Sequence, residues 1–187
     1  MDFRKLKFFW GILTYKLIWL NAILGVVSIL LVLKGFYFLM PVVYLFLSNL
    51  YDMLGYFVVL RRFWGLSKYE IECNNHKVFV YVQEGDIKDE RIIAAYRIIQ
   101  NMFDWLLFLF IWVTTGIKYA IAGKITKWFA AQDILFYLFL KVKLPEIWTW
   151  LEWTPLGLIK KGEGLKNREV IIQAIVGIIL AMLISLI

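Results

Sequence analysis

The sequence predicts an all-α polytopic membrane protein with about five transmembrane segments, the fourth short or re-entrant, and a small cytoplasmic β-hairpin loop. Three observations carry that reading. Hydrophobic residues make up 62% of the 187, and the mean hydropathy is +0.73, well above what a water-soluble domain of this size shows. Four apolar runs are long enough to cross roughly 30 Å of hydrocarbon. Only one stretch, 61–97, reads like a chain in water.

The first run, LIWLNAILGVVSILLVL at 17–33, is apolar apart from Asn21 and Ser28. Basic residues precede it, in MDFRKLK and at Lys16, and its length marks it as a retained span rather than a cleaved signal. The second, FLMPVVYLFLSNLYDMLGYFVVL at 38–60, completes an amino-terminal helical pair over 1–60. Between 61 and 97, YEIEC and VFVYV have strand content with the turn-formers NNHK between them, which predicts a hairpin. Two strands bury no core of their own, so this loop needs other surfaces to pack on. Asp86 and Asp89 are placed to begin a helix that runs on into the third span, IIQNMFDWLLFLFIWVTTGI at 98–117.

The carboxyl-terminal part, 98–187, ends in the span VIIQAIVGIILAMLISLI at 170–187 and is broken at 128–157. WFAAQDILFYLFL at 128–140 has 13 residues, too few for an ordinary span. Lys141, Lys143 and Pro145 interrupt the chain beyond it, so the segment either crosses as a short helix or turns back with WTWLEWTPLGLI. Basic residues at the amino end, the seven basic residues of 61–97 and the run KKGEGLKNR at 160–168 favour a cytoplasmic amino terminus and loop in a cell membrane. Lys118, Lys124 and Lys127 conflict with that assignment if they belong to a connection on the far side.

The formal charge of +7 suits anionic lipid headgroups, and no nucleic-acid-binding motif accompanies it. His76, the single histidine, falls in the expected turn, so a histidine-based metalloprotease site has no second ligand. Cys73 is alone and has neither a disulfide partner nor a base beside it.

Carboxylates at membrane depth are the candidates for function, because hydrocarbon tolerates them only with a partner, a proton or water. Asp52 follows Tyr44 and Ser48 at four-residue intervals, on one helix face. Asn101, Asp104, Phe108, Ile111 and Thr115 form a similar face on the third span. Asp133 has Tyr137 four residues on, while Gln132 points about 100 degrees away. Glu152 lies in the aromatic cluster Trp148, Trp150 and Trp153, and Glu146 lies just before it. The expectation is that Asp52, Asp104 and Asp133 converge with Glu152 as an acid set, lined by Tyr44, Tyr137, Trp148, Trp150 and Trp153. Neighbouring carboxyls in an apolar setting can hold one another's protons and serve as general acids.

Such a set would protonate an alkene or epoxide of a membrane lipid or isoprenoid, or hold a divalent cation against a lipid phosphate. A proton- or cation-coupled transporter or channel uses the same residue types. A third reading is a scaffold or assembly subunit that recruits a membrane protein partner through its loop. Small-residue faces at Gly177, Ala181 and Ser185, and at Asn21, Gly25 and Ser28, permit close helix packing within the chain or in a homo-oligomer.

QDILFYLF followed by PEIWTWLEWTPLGL resembles, in general character, the acidic and aromatic motifs of some integral membrane terpene cyclases. The resemblance covers under a fifth of the chain and assigns no residue a role. It adds to the enzyme reading only.

Overall fold

The computed structural model describes residues 16–55, 66–73, 76–83, 90–140, 144–161 and 163–187, with the backbone alone described for 66–73, 76–83, 90–97 and 140. The expectations for the basic amino end, for the rest of 38–60 beyond Gly55, and for Asp86, Asp89, Lys141 and Lys143 lie outside the described residues.

Among the described residues, four helices are long and apolar enough to cross a membrane, Lys16–Leu33, Tyr37–Gly55, Ile98–Thr115 and Asn167–Leu186. These are the four apolar runs read from the sequence. The first described helix, α1 (Lys16–Leu33), meets a 3-10 turn at Tyr37–Leu39 and then α2 (Met40–Asp52), whose second residue is Pro41. Proline is at home there, where its missing N–H would have no partner in the helix anyway. The two helices pack antiparallel over small residues. Asn21 Nδ2 donates to the Phe46 carbonyl at 2.9 Å, Asn49 Nδ2 donates to Asn21 Oδ1 at 2.8 Å, and Gly25 lies against Phe46. The Asn21/Gly25/Ser28 face is therefore buried within the chain.

The hairpin is present as β1 (Leu66–Cys73) paired antiparallel with β2 (His76–Gln83). One detail differs from expectation. His76 is not a turn residue but the first residue of β2, facing Cys73 across the ladder. Next, α3 (Glu90–Thr115) runs without interruption into the third span, as expected.

The largest departure from expectation comes directly after α3. Residues expected as a lysine-bearing connection form a helix, α4 (Ile117–Trp128), and a second helix, α5 (Ala131–Leu140), begins two residues later. Gly116, at φ 111° and ψ 156°, separates α3 from α4 in a conformation that is essentially glycine-only. Ala130, fully buried at φ 61°, marks the break between α4 and α5. From Gly116, α4 runs back along α3 and packs against α2 as well as the last helix.

Beyond α5, β3 (Ile147–Trp148) pairs with β4 (Leu165–Lys166), and the short helix α6 (Pro155–Lys160) lies between them. Thr154 caps α6 by accepting the Gly157 N–H at 3.3 Å. The last helix, α7 (Asn167–Leu186), buries Gly177, Ala181 and Ser185. A methyl group on Gly177 would collide with Phe129 Cβ, so this small face seats the α4–α5 break. Trp148, Leu151, Leu165 and Val170 close a core with Ala130 and Tyr137.

Candidate functional site

A buried polar seam follows the face of α2 that carries Tyr44, Ser48 and Asp52. All three are engaged by side chains of α3 or α5. Tyr44 Oη donates to Asp104 Oδ1 at 2.5 Å. Ser48 Oγ donates to Gln132 Oε1 at 2.8 Å. Asp52 accepts from Gln100 Nε2 at 2.5 Å on one oxygen and from Gln132 Nε2 on the other. Four-residue spacing on α2 thus ties it to α3 and α5 at three successive turns.

Asp104, 4% exposed, is the ionic centre. Lys124 binds its Oδ2, and Lys127 Nζ lies 3.2 Å from Oδ1. Lys124 also sits over the Trp105 ring, 4.5 Å from its centroid. A carboxylate buried in an apolar bundle is strongly disfavoured without an opposite charge, and α4 supplies two. Tyr44 reaches Asp104 by lying directly over Gly123 of α4, where an added methyl would come within 2.5 Å of its ring.

Asp133 has a different setting. It is partly exposed, in the first turn of α5, and Trp150 Nε1 donates to its Oδ1 over a long 3.4 Å. Trp150 belongs to a cluster of three rings. Tyr137 and Trp148 meet edge to face at 5.0 Å, Trp148 and Trp150 are 5.3 Å apart, and Tyr137 stacks with Trp150 at 6.4 Å. Trp148 is fixed in turn by donating Nε1 to Asn167 Oδ1 at 2.6 Å.

The sequence-predicted residues therefore separate into groups. Tyr44, Asp52 and Asp104 share the buried seam, and Asp133 with Tyr137, Trp148 and Trp150 forms an acid and aromatic group at the next residue after Gln132. Glu152 and Glu146 are exposed, and Trp153, 43% exposed, stands apart from the rings with its carbonyl accepting Trp128 Nε1 at 2.9 Å. On α3, Asp104 and Ile111 are buried, whereas Asn101 lies on the outside of the bundle. Among the described residues no group of three or more His, Cys, Asp or Glu gathers at one point.

Sequence reasoning missed Gln100, Gln132, Lys124 and Lys127 as members of the site. The signal for the lysines was present. Lys124 and Lys127 are three residues apart, on one helical face with Ala120 and Gly123, which is the pattern of a packed helix and not of a loop.

Compared with protein-family models, curated proteins and solved structures, the chain matches none. Its class rests on the fold and the seam, which together define a mostly helical, multi-spanning membrane protein with buried, interacting Asp and Lys side chains.

Proposed function

We propose that the protein is an integral membrane enzyme that performs acid-assisted chemistry on an isoprenoid or other unsaturated lipid, with Asp133 as the acid. The observation that carries this is the contact of the Asp133 carboxyl with Trp150, whose ring clusters with those of Tyr137 and Trp148. As the carboxylic acid, Asp133 gives its proton to one carbon of an alkene. The π pair forms the new C–H bond and the neighbouring carbon becomes a cation, which the ring faces stabilise. Loss of a proton from an adjacent carbon back to the carboxylate leaves a shifted double bond. If a second alkene attacks the cation first, the same proton loss ends a ring closure. Neither outcome changes the oxidation level, so no redox partner is needed.

In this reading Asp52 and Asp104 are not the acting acids, because their oxygens are engaged by Gln100, Gln132, Tyr44, Lys124 and Lys127. Asp52 holds the first turn of α5 through Gln132, and Asp104 ties α3 to α2 and α4. We further propose that α4 and α5 together are the fifth, broken crossing. Lys16, the hairpin and 144–166 then share the cytoplasmic side, and α7 ends on the other. Lys124 and Lys127 then face Asp104 inside the bundle, which leaves Lys118 alone of the three on the far side.

A direct test is mass spectrometry of lipids copurified in nanodiscs from cells making the wild type or Asp133→Asn. An unsaturated lipid enriched on the wild type and depleted on a folded Asp133→Asn variant is the expected result. Identical bulk lipids on both would count against the reading. The broken α4–α5 element also favours proton or cation transport as a second reading, since interrupted helices line many transport sites. That reading requires proteoliposome flux that depends on Asp52 or Asp104.

A further inference from the structure

We propose that α6 and the turn before it lie in the bilayer and not in water, with Trp153, Leu158 and Ile159 set among the acyl chains of one leaflet. All three are exposed, Ile159 by 75%, and no charge interrupts WTPLGLI at 153–159. An exposed apolar face does not by itself choose its cover. The level at which α6 meets the last span does.

Two contacts fix that level. The Leu156 N–H donates to Gln173 Oε1 at 2.8 Å, and Gln173 is a buried residue of α7. It lies five residues beyond the exposed Arg168, about 7.5 Å along the helix axis. Trp128 Nε1 donates to the Trp153 carbonyl at 2.9 Å, and Phe129, the residue after Trp128, lies against Gly177, a turn deeper on α7 than Gln173. Over these same turns α7 exposes Ile172, Ile175, Val176 and Ile179 on its outer side. Those residues belong to an apolar span, so the hydrocarbon that surrounds them reaches α6 as well.

Hydrogen bonding gives an independent argument. A helix that starts in water leaves its first N–H groups to solvent, and one that starts in lipid cannot. Pro155 has no N–H to leave, Leu156 uses Gln173, Gly157 reaches Thr154 Oγ1 at 3.3 Å, and Leu158 reaches the Thr154 carbonyl at 2.9 Å. Thr154 itself is fully buried, and both its N–H and its hydroxyl donate to the Leu151 carbonyl.

Charge sets the depth. Lys160, Lys161, Glu163, Lys166, Arg168 and Glu169 gather beyond the carboxyl end of α6, where Lys160 Nζ lies 2.6 Å from Glu169 Oε1. Glu152, exposed beside Trp153, keeps the turn shallow, because its carboxylate must reach headgroup water. Both limits fit the roughly 5–10 Å to which an interfacial helix buries its apolar face.

The test is the collision of nitroxide labels with oxygen, which concentrates in hydrocarbon, and with a water-soluble nickel chelate. It uses the full chain with Cys73→Ser as background, in phosphatidylcholine vesicles. Single labels go on Leu158→Cys and Ile159→Cys, with Val176→Cys as the lipid-facing reference and Glu163→Cys as the aqueous one. Labels at 158 and 159 should follow the one at 176, with frequent oxygen collisions and nickel collisions several-fold below those at 163. Nickel collisions as frequent as at 163 would overturn the proposal by placing α6 in water. Infrequent collisions with both reagents would overturn it too, because a protein surface, such as a second copy of the chain, would then be the cover.

Discussion

Asp104 shows how the single residue carries the architecture. Two lysines from one helix and a tyrosine from another converge on its two oxygens. Removing the charge with Asp104→Asn strands Lys124 and Lys127 in the bundle, and breaking a buried pair in this way costs about 3–5 kcal/mol. Unfolding in mixed micelles should register that loss. Replacing Asp104, Lys124 and Lys127 together with leucine or methionine should recover most of it, because the cost belongs to the unpaired charges. Gly123→Ala tests the same junction sterically. The Tyr44 ring must move, and overpacking of this kind costs about 1–3 kcal/mol, read in the same unfolding assay. In the sequence, Tyr44, Ser48 and Asp52 were legible as one face because helical spacing is local. Their partners were not. Gln100 and Gln132 are ordinary amides in sequence, and only the packing of three helices turns them into the ligands of Asp52.

At the scale of the element, the apolar spans were readable because length and hydropathy suffice to mark a crossing helix. The α4–α5 pair was not readable by those measures. Three lysines lower the hydropathy of 117–128, and a search for long apolar runs discards a helix whose charges are paired inside the protein. Gly116 separates α3 from α4 in a conformation that a side chain strains. Gly116→Ala is expected to destabilise the fold by about 1–3 kcal/mol, with thermal unfolding as the measurement, although open space surrounds its Cα. Loss of stability without a steric clash would identify the backbone conformation as the cause. The hairpin was legible from its alternation, while the place of His76 depended on where the ladder begins. The aromatic segment was legible in composition only. Nothing local in WTWLEWTP separates the core residue Trp148 from Trp153, and β3–β4 pairing decides it by setting Trp148 opposite Leu165.

For the whole molecule, the proposed fifth crossing by α4–α5 would place the loop after α1 and the segment before α7 on opposite sides. Single cysteines at Lys34 and Lys161, both exposed, should label with an impermeant maleimide from opposite faces of sealed vesicles, and labelling from one face would remove α4–α5 as a crossing. In the function we propose, the seam of Asp52, Asp104 and Lys124 is a support and Asp133 is the acid that acts. The most direct measurement of that claim is solvent deuterium in the substrate. Protein in nanodiscs is incubated in D₂O with a polyprenol-containing lipid extract, and the lipids are analysed for carbon-bound deuterium. The wild type should place deuterium on an alkene-derived carbon, while a folded Asp133→Asn variant should not. Equal incorporation by both, or none by the wild type across the extract, would contradict the account.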